Sequence, residues 1–394
     1  MESASSSSSR IKRRKISDGT KLPMDLIMEI LKRLPAETLA NLCESKPLAS
    51  IIRNRHFKKL FFTECSSRPG RLFFFIKHED GSELFSSRLP TRSPASGEGE
   101  ALYVATHHIT FGGITKFSCL HGLFSYESYR FGRSKITVYN SSTRVSTPLP
   151  DFDGPRHIFQ HMLGYDPVDG VYKVLCMDSR YPCDMLRKKP RNFFEVLTLG
   201  DDHSSWKMIQ DGPTHTPYVK THICINGVLY YDAYVFESKE TGVISFDLRS
   251  EQFRLISGPP CEGLFVKKMA RYEGKLAIIS ILMSEDNGNI VLWVLEDAVK
   301  HEWVKKVFVF PSLWKSLLQC NLHFLNITHA GEFILTARYF LTQQCYVLCC
   351  DPKTQRVRKF VIEGIPKDNL QASELTFCPL HHIFSTQVES LMFL

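Results

Sequence analysis

The feature that most constrains this chain is a unit that recurs through most of its length. A glycine turn opens the unit, a short apolar strand follows, and after a gap a second strand ends at an Asp or Asn turn. His121-Gly122-Leu123-Phe124 leads to Ile136–Tyr139 and Asn140, and Asn226-Gly227-Val228-Leu229-Tyr230 leads to Val243–Phe246 and Asp247. Glu273-Gly274-Lys275-Leu276-Ala277 leads to Ile290–Leu295, and Ala330-Gly331-Glu332-Phe333-Ile334 leads to Tyr346–Cys350 and Asp351. Tyr172–Met177 and Phe193–Leu199 form another pair after the turn Asp166-Pro167-Val168-Asp169-Gly170. The units run at roughly 50 residues, the length of one four-stranded propeller blade. One unit alone exposes strand edges that it cannot satisfy, and radial placement leaves only short edges. The expectation for residues 66–394 is therefore an irregular β-propeller, with a large β-sandwich as the alternative. Arg71–Phe85 opens this region as two strands joined at Glu79-Asp80-Gly81.

Leu22–Phe62 follows a different period. Leu26, Ile27, Ile30, Leu31 and Leu34 lay an apolar stripe along one helix, with Lys32 and Arg33 on the wet side. Pro23 suits the first turn of that helix and Pro35 stops it at Leu34. A second helix fits Glu37–Glu44 with Leu39, Leu42 and Cys43 apolar. A third, opened by Pro47, carries Leu48, Ile51, Ile52 and Phe57. Three helices in so short a stretch bury their apolar faces poorly, so they want a partner or the rest of the chain as cover.

In order, Leu22-Pro23, Asp25-Leu26, Glu29-Ile30-Leu31, Arg33-Leu34-Pro35-Ala36, Leu39, Cys43, Ser45-Lys46 and Ser50-Ile51-Ile52-Arg53 resemble an F-box, in the form found at the N-terminus of the large plant F-box families. Two places depart from that pattern: Glu44 and Leu48 stand where the family usually has Val and Trp, and the run between Leu39 and Cys43 is one residue short. Gly164-Tyr165-Asp166-Pro167 through Tyr172–Met177, Asn226–Tyr230, Ser245–Glu251 and Asp351–Thr354 resemble the F-box-associated domain of the same families, which lies in or near the kelch-like group. The resemblance implies an α+β multidomain chain: a basic, Ser-rich tail (1–20), a three-helix F-box (21–65) and a mainly-β kelch-like domain (66–394). It implies a non-catalytic substrate-recognition subunit of an SCF-type ubiquitin ligase. The F-box would dock on a Skp-type adaptor, and through it on a cullin, while the β domain binds a protein target. Leu22, Pro23, Leu26, Ile27, Ile30, Leu31, Leu34, Pro35, Leu39, Ile51 and Ile52 are then the adaptor-facing or supporting residues. The departures keep a degenerate F-box protein without a ligase link as an alternative.

Composition narrows the classes further. The 394 residues are 43% hydrophobic and 23% charged, an ordinary globular balance. Net charge is +8, partly from Arg10 and Lys12-Arg13-Arg14-Lys15 in a tail too polar to fold. Those four residues read either as a nuclear-import signal or as a solvated flank, and the excess does not by itself argue for nucleic acid. No apolar run approaches about eighteen residues, and the first residues lack a signal-peptide core, so the expected place is the cytoplasm or the nucleus, with no membrane partner. The twelve cysteines form no CxxC pair and read as reduced small hydrophobes.

Catalytic and metal patterns are missing from the sequence. His107-His108 and His381-His382 are adjacent and point to opposite faces of a strand. His203, His215 and His222 lie in loop-like sequence without zinc spacing. Cys349-Cys350 beside Cys345 reads as core packing, and no P-loop, GxSxG, HExxH or GxGxxG occurs. Neither cofactor nor metal is expected. Two rivals stay open: a propeller-type enzyme using the central channel, and a nucleic-acid-associated protein using the tail and the basic loop Arg187–Arg191. The long loops Pro90–Glu100, Ser179–Arg191, Asp201–Tyr218 and Ser257–Gly263 are the expected places of target contact.

Overall fold

In a computed structural model, the described residues are 22–66, 68, 71–78, 81–88, 100–103, 105–111, 116–130, 133–152, 158–179, 192–200, 204–209, 212–260, 267–282, 289–309, 322–328, 330–337, 346–364, 380–387 and 389–392. The Lys12–Lys15 cluster, the Arg187–Arg191 loop, the helical turn expected near Pro311–Leu318 and most of Pro90–Glu100 lie outside them.

Four helices come first, one more than the sequence reading: α1 (Met24–Leu31), α2 (Ala36–Leu42), α3 (Lys46–Arg53) and α4 (Arg55–Ser66). The expected third helix breaks because Asn54 takes an extended conformation (φ −61°, ψ 134°) and its side chain accepts the His56 backbone N–H at 2.8 Å. Such Asn side chains compete with helical hydrogen bonding and favour a new start. Phe57 therefore belongs to α4. The first helix also ends three residues before the expected Leu34, because Arg33 and Leu34 donate to carbonyls three residues back.

The rest forms six sheets among the described residues. The propeller expectation holds and the sandwich does not form. Blade one pairs Leu380–Gln387, Arg71–His78, Gly81–Arg88 and Ala105–Phe111; blade two runs Phe117–Leu120, Leu123–Arg130, Arg133–Asn140 and Val145–Pro148. Blade three runs Ile158–Asp166, Val171–Ser179, Asn192–Thr198 and Lys207–Ile209, and blade four His215–Ile225, Val228–Val235, Glu240–Asp247 and Gln252–Ser257. Blade five runs Lys267–Tyr272, Lys275–Leu282, Asn289–Asp297 and Glu302–Val309, and blade six Leu322–Ile327, Phe333–Ala337, Tyr346–Asp351 and Arg356–Glu363. Glu100–Tyr103 adds a parallel fifth strand to blade six. The ring closes because Leu380–Gln387, late in the chain, becomes the innermost strand of blade one, antiparallel to Arg71–His78.

Each pair of strands read from the sequence proves to be the middle pair of a blade. In blades two, four and five the turn before it has both residues at positive φ: His121 51° and Gly122 72°, Asn226 50° and Gly227 84°, Glu273 49° and Gly274 81°. That is the type I′ geometry whose twist matches a hairpin. In blades two, four, five and six the turn after it is fixed by an Asx side chain. The Oδ1 atoms of Asn140, Asp247, Asp297 and Asp351 each accept the N–H groups two and three residues on.

The cores lie between blades. Leu229, Tyr231, Ile244 and Phe246 of blade four close on Met162 and Leu175 of blade three, and Leu292 and Val294 of blade five close on Phe333 and Leu335 of blade six. Cys349 and Cys350 are buried in blade six, and burial pushes the Cys349 thiol up to about 12, as core packing requires.

Candidate functional site

The helical module hides one of its faces and opens another. Leu31, Ala36, Leu39, Ile52, Phe57, Phe61 and Cys65 form its buried core, with Ile27, Leu34, Leu48 and Ile51 packed against it. Leu22, Met24, Leu26 and Ile30 stay 50%, 54%, 52% and 56% exposed, and Pro23 and Pro35 are exposed beside them. Helix α1 is thus apolar on two sides: Ile27 and Leu31 point inward, while Leu26 and Ile30, four residues apart, line the open side. The expected site residues divide accordingly. Leu22, Pro23, Leu26, Ile30 and Pro35 lie at the surface, and Ile27, Leu31, Leu34, Leu39, Ile51 and Ile52 support them. Leu48 sits within the supporting core and Glu44 is exposed. Met24 was not among the expected residues, yet its exposure matches that of Leu26.

This surface is locked to the ring. The C-terminal residues 389–392 run back under the helices, with Leu391 entering the helical core. The buried Glu389 carboxylate accepts the Ala36 N–H at 3.0 Å and pairs with Arg71, while Arg68 Nη1 lies 3.7 Å away. Helix α2 has no side-chain cap of its own behind Pro35, so Glu389 supplies the negative charge its N-terminus favours. Arg68 also donates to the Lys32 carbonyl at 2.8 Å, holding the end of α1. Next in the tail, the Asn140 side chain of blade two donates to the carbonyls of Ser390 (3.0 Å) and Met392 (2.9 Å).

Helix α4 makes a second set of contacts. Phe62 packs edge-on against the His121 ring at 4.6 Å and tilted against Tyr165 at 4.9 Å. Lys59 donates to the Val168 carbonyl at 2.6 Å, and Arg55 pairs with Asp169 at 3.3 Å. The module therefore stands on the His121-Gly122 turn of blade two and the Asp166–Gly170 turn of blade three. These contacts leave little freedom between the open face of α1 and the ring.

On the inner strands, His215 and His222 are strand residues rather than the loop residues the sequence suggested. Four residues, 218–221, bulge between Pro217 and His222 in the pairing with the next strand, which disguised the strand. Lys207–Ile209 is a strand as well, so Asp201–Tyr218 is not one loop. His222 Nε2 lies 2.7 Å from Ser118 Oγ, which accepts the Leu163 N–H at 2.8 Å. Burial holds His222 down to about 4 and lowers His161 too, so both are neutral near pH 7. His107 is buried between Ser86 Oγ (2.8 Å) and Tyr139 OH (3.1 Å). Among the described residues no group of three His, Cys, Asp or Glu is placed to hold a metal ion, and no helix is long and apolar enough to cross a membrane.

Comparison with known proteins adds to this geometry. Residues 71–388 match a family described as the F-box associated beta propeller domain. The chain is 40% identical over 387 residues to the Arabidopsis thaliana "Putative F-box protein At4g38870", covering 95% of this chain and 88% of that one. It is 37% identical over 408 residues to the "F-box protein At2g21930" of the same plant, covering 98% and 99%.

Proposed function

The chain belongs to the plant F-box proteins that carry an F-box associated β-propeller domain, and from that membership we propose that it is the target-recognition subunit of an SCF-type ubiquitin ligase. The open side of α1 docks on a Skp-type adaptor, and the propeller holds the protein to be modified. The transfer of ubiquitin belongs to the cullin-bound partners.

The observation that carries this reading is the second apolar side of α1. The helical core is already filled by other side chains, so Leu22, Met24, Leu26 and Ile30 remain as an apolar surface suited to a partner. Burying them contributes roughly 1.5–3 kcal/mol each, offset in part by the cost of association.

The test is capture of a Skp-type adaptor by the full chain and by Leu26→Asp and Ile30→Asp. A carboxylate in a dry interface costs about 3 kcal/mol or more, so adaptor affinity is expected to fall at least about a hundredfold. Both side chains are exposed, so the melting transition stays where it is. Undiminished capture by both variants would overturn the proposal.

A further inference from the structure

Six blades present six outer strands, and two of these are longest. Those of blades one, two, three and four have seven, four, three and six residues. Those of blades five and six, Glu302–Val309 and Arg356–Glu363, have eight each. The edge of blade six is covered by the chain itself: Glu100–Tyr103 lies parallel to it, with Phe360 opposite Glu100 and Glu363 opposite Tyr103. The edge of blade five has no such cover among the described residues, and Val304, Val307 and Val309 on it are 44%, 50% and 64% exposed. A long, bare edge with exposed β-branched side chains is a template for another strand. The neighbouring blade shows that an edge of this length in this ring accepts one.

Alternation along the strand sorts its side chains. Val304, Lys306 and Phe308 point toward blade six, where Phe308 joins the core, and Trp303, Lys305, Val307 and Val309 point toward blade four, where Trp303 joins the other. On this second side Lys305 has no carboxylate partner among the described residues and lies over the Trp293 ring, with its Nζ 5.8 Å from the centroid. Arg254 on the outer strand of blade four is exposed, carries no carboxylate among the described residues, and shares the blade-five-facing side of its strand with buried Ile256. The flank is therefore apolar at two alternate positions and cationic at a third. Two copies of this edge in antiparallel register bring the Lys305-Lys306 pair of each copy together, which disfavours self-pairing. A strand with a carboxylate opposite Lys305 and β-branched residues opposite Val307 and Val309 satisfies all three positions.

We propose that the outer edge of blade five is a β-augmentation site that takes an extended acidic segment of the protein target as a fifth strand, with a carboxylate set against Lys305. The backbone groups of Glu302–Val309 provide binding, and the alternate positions Lys305, Val307 and Val309 provide selection. This rests on the reading of the propeller as the target-binding part. The blade lies across the ring from blade two, on which the helices stand, so a strand added here stays clear of the adaptor face.

The experiment uses the full chain purified with the adaptor. The probes are fluorescent nonapeptides with Val-Thr-Val-Thr-Glu at their centre, the reversed order Glu-Thr-Val-Thr-Val, and versions with Lys in place of Glu. One acidic order is expected to bind at least tenfold more tightly than its lysine version and to slow amide exchange in residues 302–309. Lys305→Glu and Val307→Glu, both at exposed positions, are each expected to weaken it at least tenfold, while Val145→Glu on the exposed edge of blade two leaves it unchanged. Binding equal for acidic and lysine peptides, no binding by either order, unaltered exchange in residues 302–309, or undiminished affinity in both variants overturns the proposal. So does a wild-type chain that sediments as a dimer and becomes monomeric with Val307→Glu. Recovery of the adaptor with the chain is scored separately, so loss of peptide binding and loss of the ligase link are told apart.

Discussion

The Glu389 carboxylate accepts the Ala36 backbone N–H at 3.0 Å across 353 residues of chain. With Arg71 and Arg68 on its other side, it is the joint at which helices, first blade and C-terminal segment meet. Removing one member of a buried ionic cluster strands the others, so Glu389→Ala is expected to cost on the order of 3 kcal/mol. Glu389→Gln keeps an acceptor for Ala36 and should cost less. Denaturant unfolding of the two variants checks the order; equal stability of wild type and Glu389→Ala contradicts it.

The type I′ turns make a graded prediction. Gly274 sits at φ +81° with nothing within 4 Å of the place a Cβ would occupy, whereas a Cβ on Gly227, at φ +84°, would stand 3.2 Å from Pro167 Cδ. Gly274→Ala carries the left-handed strain alone, about 1 kcal/mol, and Gly227→Ala adds crowding at the junction of blades three and four. The Gly227 variant should unfold at the lower denaturant concentration.

His222 predicts a pH dependence. Its folded value is held at about 4, chiefly by burial, below the ordinary 6.5, so between these values the unfolded chain binds more protons. Its contribution is complete above about pH 6.5 and is lost as pH falls toward 4, for a total on the order of 3 kcal/mol. His222→Gln, which retains an acceptor for Ser118, should flatten the acid limb of a stability-against-pH curve. Part of the slope that remains belongs to His161 and His215, both lowered in the same direction by burial.

Lys268, on the inner strand of blade five, is lowered to about 8 by burial and has no ion pair or hydrogen bond among the described residues. Below that value it is charged in both states and its desolvation opposes folding. Lys268→Met is expected to stabilise the protein by about 1–3 kcal/mol at pH 7. The advantage should shrink as pH rises from about 8 toward 10.5, where the wild-type lysine is neutral when folded. Thermal midpoints of both proteins at pH 7 and pH 10 decide it.

What the sequence disclosed follows from the range of the interactions involved. The blades were legible because Asn226-Gly227 and Asp247 act within a few residues, and such turns leave a mark in any stretch that contains them. Leu26 and Ile30 were legible as an apolar pair, but which side of α1 stays open depends on Phe57 and Phe61, which belong to another helix. The break at Asn54 was missed because the apolar spacing from Ile51 to Phe57 suits one helix as well as two. His215–Ile225 was missed because four bulged residues erase the alternation. Glu389 carries no local signature, since its partners Ala36, Arg68 and Arg71 are more than three hundred positions away. The valine-lined edge of blade five reads as an ordinary alternating strand until the cover on blade six supplies the contrast.

The ring closes with a strand made late, and the helices made first rest on the residues that follow that strand. During synthesis the α1 surface therefore emerges long before its foundation does. A nascent chain halted within blade six lacks the closing strand, the Glu389 joint and the Leu391 plug together. It would carry a loosened helical module in place of the finished one, so a chain left incomplete at its far end is handicapped at its near end as well.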